Sequence, residues 1–122
     1  MTRQLVPWML AVVFAAVAAS AMHVTPGPAV TDSNVADRVR HLQTPAEQLA
    51  LANYYKDKAT SFGARIDFYE GLFRAYEELE GKEYEGLRVQ ARDLLRAARS
   101  TRKHLELMAS AHRDRVLAAE EQ

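Results

Sequence analysis

Three residues on one stretch of the chain invite a chemical reading first. His104, Met108 and His112 recur every four residues, so on a helix their side chains would stack on one face and offer copper a soft imidazole–thioether surface. The plainer alternative gives Met108 to an apolar seam and leaves the histidines at its flank. A weaker copper reading involves His23, which would become the second residue if the chain were cut after Ala21, beside a free amine. Arg88, Arg92, Arg96, Arg99 and Lys103 form a basic row at helical spacing. Such a row could meet an anionic lipid or polymer surface, or it could balance acids on a neighbouring helix, for instance Glu70 near Arg88. Glu77, Glu78, Glu80, Glu83 and Glu85 crowd one short stretch, spaced for solvent rather than for one cation's ligand sphere.

Beyond these groups the chemistry is thin. No nucleophilic triad, glycine-rich phosphate loop or paired-carboxylate cleft is visible, so neither an enzyme nor a bound cofactor is expected. The absence of cysteine rules out disulfides, a zinc finger and a thiol nucleophile. Sixteen basic residues against sixteen acidic ones give a formal net charge of zero, so no global field draws the protein to nucleic acid, and a nucleic-acid partner is not expected.

What must position these residues is helix. Thr44-Pro45-Ala46-Glu47 reads as a capping box with proline in the first turn, where its missing N–H costs nothing. No proline follows, and the one clear break is Glu80-Gly81-Lys82, where Gly81 can end a helix. Two helices of about 35 residues are therefore expected, over about 45–79 and 82–119, each roughly 50 Å long. The fold class is all-α: an antiparallel two-helix hairpin, coiled-coil-like, over residues 44–122.

In the first helix Tyr55, Ala59, Phe62, Ile66, Tyr69, Phe73 and Tyr76 alternate steps of four and three; in the second, Tyr84, Leu87, Ala91, Leu94, Ala98, Thr101, Leu105 and Met108 do the same. Folding back at Gly81 sets Tyr69 against Ala91, Ile66 against Leu94 and Phe62 against Ala98, large side chains facing small or medium ones. A two-helix pin buries each helix on one side only and comes out near zero net stability, so it wants a further surface. Leu51, Tyr54, Phe68, Leu72 and Leu79 form a second apolar row beside the seam, with Ala75 among them, and Ala97 and Ala111 lie on the same side of the second helix. This face is the expected interaction site. Pairing two hairpins across it would give a four-helix bundle, a homo-oligomer; alternatively a short helix over Val35–Leu42, capped by Asp32 or Ser33, folds back and covers it. Gly63, Gly71 and Gly86 fall inside the helical pattern off the seam, either as tolerated surface glycines or, at Gly63 or Gly71, as points of close backbone approach.

The N-terminal residues read as an address. Arg3 precedes an uncharged apolar run, Leu5 to Ala19, and Ala19-Ser20-Ala21 carries small residues where a signal peptidase reads. Residues 1–21 thus look like a cleavable signal peptide, leading to a periplasmic or secreted protein. If it is not cleaved, residues 5–24 are long enough to anchor the chain in a membrane. Residues 22–43 follow as a linker, with Pro26, Gly27 and Pro28 near its start.

At Leu42-Gln43-Thr44-Pro45-Ala46-Glu47-Gln48 the chain resembles the LTxxQ signature of small periplasmic stress chaperones and metal-responsive sensors, with Gln43 inserted between leucine and threonine. The resemblance implies a dimerising helical hairpin and a chaperone-like or sensor role. The stretch from Thr44 to about Arg113 is also similar to short exported bacterial proteins with the same Thr-Pro-x-Glu opening and helical body, a likeness that brings no activity with it. Neither implies a particular functional residue. The expectation is an exported, non-enzymatic protein that works by protein–protein contact, with the chaperone-like module and the copper binder as alternatives.

Overall fold

The computed structural model describes residues 24–121. The chain is mostly helical, and there is no strand among the described residues. Three α-helices follow one another: α1 (Val35–Arg40), α2 (Pro45–Glu77) and α3 (Glu85–Glu120), with a 3-10 turn over Lys82–Tyr84 leading into α3. The expected signal peptide, the anchor reading of residues 5–24 and His23 lie outside the described residues.

The start of α2 follows from its cap. Thr44 is extended, its Oγ1 accepts the Glu47 N–H at 3.2 Å, and Pro45 opens the first turn. Glu47 reaches back one residue further than a capping box requires, accepting the Gln43 N–H at 3.1 Å. At the other end Gly81 has φ 116° and ψ 147°, a backbone open only to glycine. A Cβ built there would stand 2.7 Å from the Glu83 carboxylate.

Residues of α2 meet residues of α3 in reverse order along the chain. The Tyr76 carbonyl accepts Arg88 Nε–H at 2.9 Å, Glu70 pairs with Arg99, Ile66 packs with Leu95 and Ala98, and Tyr55 stacks on His112 with ring centroids 5.6 Å apart. Phe62, Tyr69 and Phe73 pack around the Ile66–Leu95–Ala98 cluster, placing the Phe62 ring in the layer that holds Ala98.

The face that α2 buries is the one its spacing indicates: Tyr55, Ala59 and Ile66 are buried, and Phe62, Tyr69, Phe73 and Tyr76 are half-buried. In α3 the stripe is turned. Ala91, Leu95, Ala98, Ala109 and Val116 are buried, with Arg88, Arg102, Leu105 and His112 half-buried between them, while Leu87, Leu94, Thr101 and Met108 of the expected seam are exposed. The expected seam took alternate members of two adjacent rows and ran midway between them. The row that is buried includes Arg88 and Arg102, and arginine is costly to bury without partners. Arg88 has its partners: besides the Tyr76 carbonyl, its guanidinium donates to the carbonyls of Leu79 and Gly81 in the turn that follows α2.

The chain preceding α2 does not trail away as a linker. Gly27 N–H donates to the Ala46 carbonyl at 3.1 Å, Arg38 binds the carbonyls of Pro28 and Ala29, and Val30, Val35 and Leu42 pack on the Leu51–Tyr55–Ala109 cluster. Residues 24–43 therefore form a strap over the end of the helix pair remote from Gly81. Asn34, not Asp32 or Ser33, occupies the position before α1.

Candidate interaction surface

The strap divides the expected interaction face. Leu51 is only 1% exposed, because Val30, Val35 and Leu42 cover it from outside and Tyr55 and Ala109 from within. Tyr54 is half-buried, and its hydroxyl donates to Asp32 Oδ1 at 2.7 Å. Lys58 Nζ donates to the other Asp32 oxygen, also at 2.7 Å. Leu51 and Tyr54 therefore serve the strap and are not open to a partner. The same three-residue clasp shifts titrations. The Lys58 and Tyr54 hydrogen bonds hold the Asp32 carboxyl below the usual carboxylate range, and desolvation, with the Asp32 charge added, pushes the Tyr54 phenol up to about 12.

Nearer Gly81 the face is uncovered. Phe68 is 64% exposed, Leu79 40%, Leu87 42% and Leu94 44%, and Leu72 is half-buried. A groove of about 200 Å³ runs between the two long helices here, lined by Phe62, Arg65 and Tyr69 on α2 and by Leu94, Ala97 and Thr101 on α3. Arg65 lies over the Phe62 ring, 4.7 Å from its centroid, so the one cation in that lining is turned onto an aromatic face. Between the same helices a second cleft of about 300 Å³ has an alanine floor, Ala59 and Ala109, under the charged rim of Lys56, Glu106 and Arg113.

The three copper candidates differ in exposure. His104 and Met108 are exposed on α3, whereas His112 is half-buried between the helices. Its Nδ1 lies 2.6 Å from Gln48 Oε1 and is engaged there rather than offered to a metal. Burial, with the Arg115 charge second, lowers the His112 pKa. Among the described residues no group of three or more His, Asp or Glu side chains is placed to hold a metal ion.

The basic row is broken as well. Arg88 turns inward onto the carbonyls at the end of α2, and Glu70 pairs with Arg99 rather than with Arg88; Arg92 and Arg96 remain exposed on α3. The acids at the turn are all exposed. A Cβ added at Gly63, Gly71 or Gly86 would meet nothing within 4 Å, so no backbone from elsewhere among the described residues approaches them closely. No helix among the described residues is long and apolar enough to cross a membrane.

The strap clasp is what sequence reasoning missed. Asp32 signalled a helix cap, and nothing in local spacing pairs it with Tyr54 and Lys58, more than twenty positions away. No family model, no curated protein and no solved structure matches this chain.

Proposed function

We propose that this is an exported, non-enzymatic antiparallel helical-hairpin protein that acts by protein–protein contact through the uncovered half of its apolar flank. The observation carrying this reading is the exposure of Phe68, Leu79, Leu87 and Leu94, large apolar side chains, on a chain that covers Leu51 of the same α2 row with its own strap. Export draws its support from the Leu5–Ala19 run and the Ala19-Ser20-Ala21 step. In the LTxxQ-like stretch Leu42 packs on the Leu51 cluster, Thr44 caps α2 and Gln48 bonds His112.

The test replaces Phe68, in the full chain expressed in an exporting bacterial host, with a photo-crosslinking amino acid, and Arg96 likewise as a control on the charged face. The expected result is protein adducts of defined mass from position 68 and none from position 96, in the exported fraction, with a chain mass that corresponds to a start at Met22. No adduct from position 68, or equal adducts from both positions, would overturn the contact reading. A chain retained in the cytoplasm would overturn export.

A further inference from the structure

The exposed side of α3 carries a second seam. The buried row is Arg88, Ala91, Leu95, Ala98, Arg102, Leu105, Ala109 and His112. Displaced by one residue, hence turned by about 100° around the helix, runs Leu87, Gln90, Leu94, Ala97, Thr101, His104, Met108 and Ala111. Every member of this row is exposed, and none is Asp, Glu, Lys or Arg. It keeps the alternating three and four spacing for about three and a half heptads, the length that marks a coiled-coil seam. Two such rows about a right angle apart are what a helix shows when it has two helical neighbours, as in a four-helix bundle; α2 supplies one of them.

We propose that the second neighbour is α3 of another copy of this chain, in a symmetric dimer whose two α3 helices run antiparallel with Ala97 of each opposite Thr101 of the other. The proposal rests on the contact reading above and names its partner. Three features select a second copy. A symmetric interface sets a surface against itself, which a charged face resists by like-charge repulsion and an uncharged row in a chain of zero net charge does not. Antiparallel pairing about the row's midpoint sets Leu87 against Ala111, Gln90 against Met108, Leu94 against His104 and Ala97 against Thr101. Large faces small at the ends, and two small residues meet at the centre, where the helices come closest. Parallel pairing would instead set His104 on His104 and Gln90 on Gln90 and leave Ala97 facing Ala97 across a gap. Finally, the row is continuous with the groove of Phe62, Tyr69, Leu94 and Ala97, so the new contact would extend a packed layer that already exists.

The test uses the purified full chain in the processed form the exporting host yields. Sedimentation should give twice the chain mass. Leu94→Glu, and independently Thr101→Arg, should each raise the dimer dissociation constant at least about tenfold with unchanged helical circular dichroism; both positions are exposed, so folding tolerates them. Since the chain has no cysteine, Ala97→Cys mixed with Thr101→Cys should give a disulfide-linked dimer under mild oxidation, while Arg96→Cys should not. A chain monomeric at its highest soluble concentration overturns the proposal, as does a dimer indifferent to both charge substitutions or lacking the 97–101 crosslink. Should it fall while position 68 still yields adducts with another protein, the contact reading stands and only the partner is wrong.

Discussion

The sharpest perturbation compares two adjacent leucines. Leu95 is 6% exposed and packs against Ile66 and Ala98, whereas Leu94 is 44% exposed at the edge of the groove. Truncating a buried leucine to alanine removes its transfer free energy and leaves a cavity that collapses only in part, which together cost about 2–5 kcal/mol. The packing around Leu95 is a single layer between two helices, where neighbours can relax toward solvent, so Leu95→Ala should fall at about 2–3 kcal/mol. Leu94→Ala removes a side chain already close to half in water and should cost under about 1 kcal/mol. In a domain of this size each kcal/mol is worth about 4–8 °C of melting temperature, which makes the Leu95 variant some 10–20 °C less stable while the Leu94 variant stays within a few degrees. Thermal and urea unfolding followed by far-ultraviolet circular dichroism would read both. The comparison belongs at dilute protein, where loss of self-association cannot add to the Leu94 variant. Equal costs, or a larger one for Leu94→Ala, would mean that α3 buries the row the sequence pattern suggests, and the account of two rows would be wrong.

Gly81→Ala should destabilise by about 1–3 kcal/mol, since its backbone is one that L residues rarely adopt; Gly63→Ala, in open space, should stabilise by about 0.5–1 kcal/mol in the same unfolding assay. For His112 the folded pKa lies below the unfolded one, so the unfolded state binds the extra proton. Its contribution is therefore full above the unfolded value of about 6.5 and declines as pH falls through it toward the folded value. Wild type should lose more stability than His112→Phe between neutral and mildly acidic pH, and parallel profiles would contradict the buried ring. Asp32→Ala should bring the Tyr54 phenol down from about 12, read by ultraviolet titration of the tyrosines, and should speed hydrogen exchange across residues 27–42; an unchanged phenol would remove the clasp.

How much was legible beforehand varied with the range of the interaction. The cap at Thr44, the stop near Gly81 and the buried face of α2 are all set within a turn or two of helix, and the residues around each are sufficient to read them. The site was legible in part. Phe68 and Leu79 are exposed and Leu72 is half-buried, but Leu51 and Tyr54 of the same row are taken by Val30, Val35, Leu42 and Asp32; a short helix folding back from Val35–Leu42 was one of the two alternatives that the spacing offered, whereas Val30 fell in a stretch that composition assigned to a tether. The phase of α3 was misjudged for a definite reason. Its spacing fits two adjacent rows equally, and α2 covers only one of them.

The amino-acid sequence by itself determined that the described chain is helical, where α2 begins, that the long helices break near Gly81, and which stripe of α2 is hidden, because caps, glycine and apolar period act over a few residues. Only the tertiary structure decided that Arg88 turns inward, that His112 bonds Gln48 and stacks on Tyr55, and that the strap closes over Leu51. Each of these exchanges hydration for a partner outside the residue's own helix. Whether that exchange is favourable depends on a carbonyl, an amide or a carboxylate being held within about 3 Å, and only the packed helices bring those groups so close.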